Sequence, residues 1–314
     1  MAKIVLAGGS GFLGRHLATD LQGRGHEVVV LTRTPRPGGR VREVTWDGAT
    51  VGEWQGELDG DDVRVVNLAG KLVDCRPTTT NVAVLRDSRV DATRALVDAS
   101  RGRDVTAWLQ ASTTAIWSDA GEQRITEATP IPTGTNALPQ MTGVAVPWEA
   151  AAQGANTERL SILRTSIVLA PGCPAVDRLV TLARLGAGGT VGSGRQWFSW
   201  IHLADWLAIA RAALGLGEFD LPEGVVAATA PNPVRNSALM RELRRLWAPS
   251  LLGYRVGIPT PTPVLKLGAR VIGTDPALAL TGRAVTSDVL AGRYSFRFPT
   301  LKGALWDIRQ AGRG

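Results

Sequence analysis

The stretch of this 314-residue chain that most constrains its fold is Lys3-Ile-Val-Leu-Ala-Gly-Gly-Ser-Gly-Phe-Leu-Gly14, a short apolar strand running straight into glycines. Gly8, Gly11 and Gly14 lie three apart, and Gly9, Gly11 and Gly14 also satisfy G-x-G-x-x-G. In such a turn one glycine permits the tight strand-to-helix reversal. A second lets backbone N–H groups approach a pyrophosphate, and a third lets the helix pack closely on the strand. The helix N-terminus adds unpaired N–H groups and a positive dipole end. An amphipathic helix carrying Phe12, Leu13, Leu17 and Leu21 follows in the required order. Gly8, Gly9, Ser10, Gly11, Phe12, Leu13 and Gly14 are therefore expected to cradle a dinucleotide, although a glycine turn can also be only a turn.

The next apolar run, His26-Glu-Val-Val-Val-Leu-Thr-Arg33, is rich in β-branched residues and follows the helix end Gly23-Arg-Gly25. It reads as the second strand of a βαβ unit. An NAD site usually places Asp or Glu at the end of this strand, to accept hydrogen bonds from ribose hydroxyls. Here the chain has Thr32, Arg33 and, just beyond, Arg36. A carboxylate would repel a 2′-phosphate, whereas a guanidinium binds it through paired hydrogen bonds. Thr32, Arg33 and Arg36 thus favour NADP(H); the plain alternative is that Arg33 is a solvated surface residue.

Bulk properties narrow the class. A chain 44% hydrophobic and 20% charged can bury a substantial core in one or two domains. No apolar run is long enough to span a membrane, and the N-terminus lacks a signal peptide's basic start and cleavage site. Cys75 and Cys173 lie far apart in no C-x-x-C pattern, which suits a reduced, cytoplasmic protein. The net charge of +7 is carried mostly by scattered Arg without a long basic run, so no nucleic-acid partner is expected. Part of that charge can help attract an anionic cofactor. His16, His26 and His202 do not cluster with the cysteines at metal-ligand spacing, so no metal is expected. Neither a G-x-S-x-G elbow nor a P-loop occurs.

Strands and helices alternate through the first half, the pattern of a parallel sheet covered on both faces. Strands are expected at 41–45, 63–70, 105–112 and 160–165, with helices at 82–100 and 146–154. The polar stretch from Asp119 to Pro139 reads as a long loop of the kind that forms part of a substrate site. Later helices are expected at 176–185, 203–214, 237–247 and 300–310. Gly257-Ile-Pro-Thr-Pro-Thr-Pro263 reads as a rigid connector before a small C-terminal unit.

These residues carry a resemblance. Ala7-Gly-Gly-Ser-Gly-Phe-Leu-Gly14, Asn67-Leu-Ala-Gly70, Asp87-Ser-Arg-Val-Asp-Ala-Thr-Arg-Ala-Leu-Val97 and Leu163-Arg-Thr-Ser-Ile-Val-Leu169 are four of its motifs. Gly192-Ser-Gly-Arg-Gln-Trp-Phe-Ser-Trp-Ile-His202 and Tyr294-Ser-Phe-Arg-Phe-Pro-Thr-Leu301 are more specific. The chain resembles the extended, atypical short-chain dehydrogenase/reductase superfamily. Within it, the nearest likeness is the NAD(P)-dependent epimerase/dehydratase branch that ends in a small C-terminal domain of unknown function. The resemblance implies an α/β fold: a Rossmann-type doubly wound parallel sheet with a smaller, mostly helical C-terminal substrate or cap region. Its domains would be 1–225, holding NADP(H), and 250–310. It further implies cofactor contacts at Leu68, Ala69, Gly70 and Ala111, and a substrate pocket including Lys71, Trp117, Met141, Arg195 and Trp197. The partner would be a small-molecule substrate, and relatives often form homodimers.

The superfamily's chemistry rests on a Tyr-x-x-x-Lys pair and a nearby Ser or Thr. Tyr254 and Tyr294 are the two tyrosines of this chain, and neither precedes a Lys by four residues. Registering on Trp148-Glu149 puts Met141 and Ala145 at the pair's positions, and neither transfers a proton near neutral pH. Thr113 falls where the family's catalytic hydroxyl lies, with Ser112 beside it; the alternative is that both satisfy local backbone groups. Trp117 can stack on a substrate or fill core. His202 and Asp205 imitate a dyad but are read as tying a strand to the next helix. Phe198 stands where nucleotide-sugar enzymes carry a basic residue, which disfavours a nucleotide sugar, although Arg195 can supply a cation nearby. Asp74 and Cys75 lie close enough to the fourth strand to reach the cleft, although a free Cys is more often inert. The expectation is an NADP(H)-dependent oxidoreductase or epimerase-like enzyme acting on a small carbonyl or hydroxyl compound. The competing reading is a catalytically silent NADP(H)-binding sensor or regulatory protein.

Overall fold

The runs richest in β-branched residues become a seven-stranded parallel sheet. In this computed structural model residues 1–312 are described, apart from residues 37, 74, 186–187, 249–256 and 258. The strands are β1 (Lys3–Ala7), β2 (Glu27–Thr32), β3 (Arg42–Thr45), β4 (Val63–Asn67), β5 (Val105–Thr113), β7 (Leu160–Thr165) and β11 (Gly224–Ala228). Their spatial order is β11-β7-β5-β4-β1-β2-β3. Every neighbouring pair is parallel. In β2, Val28, Val29, Val30 and Leu31 are all buried, as a strand covered on both faces requires.

Alternating side chains divide the core. Leu6, Val30, Val66 and Leu109 meet the helix α1 (Phe12–Gly23) through Leu17 and Leu21, and the helix α5 (Leu203–Ala213) through Trp206 and Ile209. On the opposite face Val5, Leu31, Val65 and Trp108 pack on α2 (Thr79–Ser100) through Ala92 and Leu96. A period of two along the strands thus places one helical layer on each face.

The chain reverses its strand order at β1, which pairs with β2 on one side and β4 on the other. The helices that follow β1 and β4 pack on opposite faces of the sheet, the arrangement in which open α/β sheets leave a ligand crevice.

The second half is built differently. β6 (Arg124–Ile125) pairs with β13 (Ala284–Val285), so the stretch read as a plain loop from Asp119 to Pro139 holds a strand. β8 (Ile167–Leu169) pairs with β10 (Trp200–His202), and β9 (Trp197–Phe198) with β12 (Val234–Arg235). The helices α4 (Pro174–Arg184), α6 (Asn236–Trp247) and α9 (Leu301–Ala311) close on one another through Val180, Leu243, Leu305 and Ile308. The region after residue 257, which also holds α7 (Thr262–Ile272) and α8 (Ala277–Leu280), therefore shares a core with elements that precede it.

Two boundaries differ from expectation for local reasons. β4 stops at Asn67 and does not reach Gly70, because Asn67 Oδ1 accepts the N–H of Ala69 and turns the chain. The helix expected at 146–154 is α3 (Thr142–Ala151), which starts a turn earlier and carries Pro147 inside it. It tightens into a 3₁₀ turn over Ala152–Gly154. Asp74 and Tyr254 lie outside the described residues, as does part of the 257–263 connector, whose last two residues already belong to α7. No helix among the described residues is long and apolar enough to cross a membrane.

Candidate functional site

Backbone shape makes the first wall of the crevice. Gly8 sits at φ +80°, a conformation that L side chains rarely adopt. A Cβ on it would lie 2.6 Å from the carbonyl carbon and oxygen of Leu68 and 2.8 Å from the N–H nitrogen of Ala69. The loop after β1 therefore rests directly on the loop after β4. At Gly14 a Cβ would meet the Gly8 carbonyl oxygen at 2.5 Å, so helix and turn approach more closely than any side chain permits. Gly11 is the N-cap of α1 and supplies no side-chain hydrogen bond to its first turn. The helix start is exposed at Ser10 and Gly11, and the first-turn N–H groups have no partner within the helix.

The second wall is held from beneath. The buried Asn67 amide donates to Thr93 Oγ1 at 2.9 Å and to Gln110 Oε1 at 3.1 Å, pinning the end of β4 to α2 and β5. Arg89 of α2 donates to the carbonyls of Leu85 and Lys71, both at 2.9 Å, and its guanidinium lies 5.1 Å from the Trp148 ring centre. A Cβ on Gly70 would touch that guanidinium at 3.0 Å. Burial lowers the Arg89 pKa to about 10, leaving it charged near neutrality. Arg89 went unassigned in the sequence, although it sits in the Asp87-Ser-Arg-Val motif; its packing under Gly70 depends on the fold. The Lys71 side chain itself is exposed.

The two arginines beyond β2 differ. Arg36 is engaged: its Nη2 donates to Glu43 Oε1 at 2.8 Å and its backbone N–H to Glu43 Oε2 at 2.7 Å. The Arg36 guanidinium holds the Glu43 carboxyl below the usual carboxylate range. Arg33 is exposed and makes no ion pair or hydrogen bond among the described residues. Thr32 uses its hydroxyl as acceptor for the Thr34 N–H at 3.4 Å.

At the carboxyl end of β5 the two neighbouring hydroxyls have different surroundings. Ser112 is buried and donates to Glu149 Oε1. Glu149 is in turn gripped by Arg164, through Nε at 2.9 Å and Nη2 at 2.8 Å. Ser112 is thus tied into a buried ion pair. Thr113 is half-buried, and its Oγ1 accepts the Ala115 N–H at 3.1 Å, which leaves its own O–H available as a donor. Ala111, two residues before it, is half-buried.

The residues expected to line a substrate pocket are not brought together as one open surface. Trp117 is 2% exposed; its indole donates to the Thr129 carbonyl at 3.0 Å and its ring lies 4.8 Å from the Arg164 guanidinium carbon. It is a core residue. The Trp197 ring carries two guanidinium groups against it, Arg235 at 3.8 Å and Arg124 at 4.9 Å. Arg195 is exposed and offers its carbonyl to Arg235. Met141 is 4% exposed and stands at the N-cap of α3. Its sulfur lies 4.0 Å from Arg283 Nη2 and from Thr281 Oγ1.

His202 and Asp205 tie elements together. His202 Nδ1 accepts the Ala204 N–H at 3.2 Å and caps α5, while Nε2 lies 3.3 Å from Asp307 Oδ2 without a hydrogen bond to it. Burial lowers the His202 pKa, against the raising effect of Asp307 and Asp205. Asp205 is fully buried and accepts from Tyr294 Oη at 2.7 Å, the Arg297 N–H at 2.7 Å and the Phe298 N–H at 3.0 Å. Burial, then the Asp205 carboxylate, push the Tyr294 phenol well above its ordinary pKa. This clasp joins α5 to the tail and makes Tyr294 a fastening.

A crevice walled by a glycine turn and the loop after β4 is the geometry against which known proteins can be compared. Epimerase family protein SDR39U1 of Mus musculus is 31% identical over 314 residues, covering 98% of this chain and 99% of its own. The solved structure of human epimerase family protein SDR39U1 (isoform 2) with NADPH superposes with a TM-score of 0.82 at 30% identity, over 98% of this chain and 99% of that one. A nucleoside-diphosphate sugar epimerase from Corynebacterium glutamicum gives a TM-score of 0.72 at 26% identity, over 97% of this chain and 57% of that one. A family model spans residues 4–225, from the glycine turn to the last strand of the sheet. By that match, and by the crossover it encloses, the chain belongs to the NAD dependent epimerase/dehydratase family.

Proposed function

We propose that this protein binds NADP(H) and uses it in an oxidoreductase or epimerase-like reaction on a small carbonyl or hydroxyl compound. The observation that carries the reading is Arg33. It is an exposed guanidinium without a partner among the described residues, one residue beyond β2 and beside the glycine turn. A 2′-phosphate offers such a group paired charge-assisted hydrogen bonds. Arg36, held by Glu43, would add field and not a direct contact. The relative solved with NADPH supports the choice of cofactor.

The residues present suit such a group. Gly8 to Gly14 would receive the pyrophosphate on backbone N–H groups at the uncapped start of α1. Leu68, Ala69 and Gly70 would form the facing wall, stiffened by Asn67 and Arg89. A bound nicotinamide supplies or takes up a hydride at its C4. Thr113 would orient the reacting oxygen with its free O–H, while Ser112 holds Glu149 in place. Met141 and Ala145 carry no transferable proton, so the proton would come from water or from the substrate. Residues 1–225 would hold the cofactor, and residues 250–310 would cover the substrate side.

Fluorescence titration of the purified protein with NADPH and NADH tests the cofactor. A clear preference for NADPH is expected, and equal affinities would remove the argument from Arg33. Screening aldehydes, ketones, quinones and imines for NADPH oxidation then tests the chemistry. Tight binding with no turnover across the panel would favour the silent sensor, for which the absent Tyr/Lys pair speaks.

A further inference from the structure

The mechanism above uses no charged group from the C-terminal half, yet one is aimed at the position the family reserves for its proton donor. Arg283 lies two residues after Thr281, just before β13. Its Nη2 donates to Thr281 Oγ1 at 3.0 Å and lies 4.0 Å from the sulfur of Met141, which occupies the place of the tyrosine. Its Nε is buried with no hydrogen-bond partner among the described residues, while Nη1 is not fully shielded from solvent. Among the described residues no carboxylate lies within ion-pair distance of it; the charge of Asp119 acts on it from further off, and Asp119 Oδ1 accepts the N–H groups of Gly282 and Gly121.

The side chain cannot easily swing away. The Arg283 backbone is fixed by its N–H to the Trp197 carbonyl and by its carbonyl, which accepts from Ser199 Oγ at 2.7 Å. Gly282, before it, packs against Trp197 so tightly that a Cβ would lie 2.4 Å from the Trp197 nitrogen. Burying a guanidinium with donors unused is costly, and such a group is normally paired or bound to an anion. Desolvation lowers its pKa to about 10, so the cation persists near neutral pH.

We propose that Arg283 receives a negatively charged or negatively polarised oxygen of the substrate, at the point where the family ordinarily presents a tyrosine hydroxyl. A neutral thioether at residue 141 makes room for the guanidinium, and Thr281 orients it. The substrate class this selects is a carbonyl compound bearing or developing an oxyanion, such as a carboxylate-substituted ketone. The proposal rests on the crevice reading of the preceding section for its ligand, but on Arg283 alone for its anion.

The test uses oxalate, a small dicarboxylate, titrated into the whole protein saturated with NADP⁺ and followed by calorimetry and by melting temperature. Saturable binding is expected in the wild type. It should weaken at least about tenfold in Arg283→Met and recover in part in Arg283→Lys, which keeps the charge. Wild-type protein that binds NADP⁺ but no oxalate overturns the proposal and leaves the cofactor reading standing. Failure to bind NADP⁺ overturns that reading instead, and oxalate is then titrated into the free protein with the same comparison. Equal oxalate affinity in wild type and Arg283→Met, with both folded by circular dichroism, also overturns the proposal.

Discussion

The glycine-turn wall and the C-terminal clasp are held together by different means. The first is made of backbone: Gly8 against Leu68 and Ala69, Gly14 against Gly8, and a helix start with no side-chain cap. The second is made by one buried side chain reaching across a long stretch of sequence, the Asp205 carboxylate on the Tyr294 hydroxyl and on the N–H groups of Arg297 and Phe298. A backbone site tolerates change in its side chains provided the glycines stay. A fully buried carboxylate that satisfies three donors tolerates change poorly, because its removal leaves those donors unpaired.

The sharpest way to break this contrast is Asp205→Ala. Removing a buried acceptor of three hydrogen bonds should cost about 3–5 kcal/mol, read as a fall in the urea midpoint. A loss below about 1 kcal/mol would mean that the tail is fastened elsewhere. Next in size is Arg33→Asp, which should weaken NADPH by roughly ten- to a hundredfold and leave NADH nearly unchanged, with the melting temperature of the free protein unaltered. A parallel loss for both nucleotides would show that the change damaged the wall and not the phosphate contact.

How much of this was legible follows from the same contrast. The turn at Gly8 and Gly14 could be read because tight reversals leave a local signature in residue type. The exposed position of Arg33 could be read because it stands one residue after a strand. The Asp205 clasp could not, because Tyr294 lies 89 residues away and nothing local marks it as a donor. Trp117 and Trp197 look alike as ligand-facing aromatics until Arg164, Arg124 and Arg235 are seen against their rings. Ser112 and Thr113 are neighbours in sequence, and only the strand's alternation sends one to Glu149 and leaves the other near the crevice.

That last pair supports a smaller prediction. Thr113→Ala should slow any turnover roughly tenfold with little change in NADPH affinity, and Thr113→Ser should restore most of the rate. An unchanged rate would return Thr113 to the role of capping Ala115. The smallest effect expected is in pH. Burial depresses the folded His202 pKa, so the unfolded chain binds more protons as acidity rises. The stability this residue contributes is complete above its unfolded value near 6.5 and is lost as pH falls below it through the depressed folded value. His202→Asn keeps a cap for α5 and should flatten melting temperature against pH in that window. The surrounding Asp307, Asp205 and Arg297 remain in both proteins, so they do not account for a difference in slope.

The clasp has a consequence for biosynthesis. Asp205 leaves the ribosome long before Tyr294, Arg297 and Phe298 do, so during translation its carboxylate stays hydrated and α5 cannot settle fully onto the sheet. A nascent polypeptide stalled between those points carries a finished glycine turn and β-sheet edge beside an unlatched flank. Chaperone engagement of arrested chains, extended by a linker long enough to span the exit tunnel, should therefore drop abruptly once Phe298 has emerged from it.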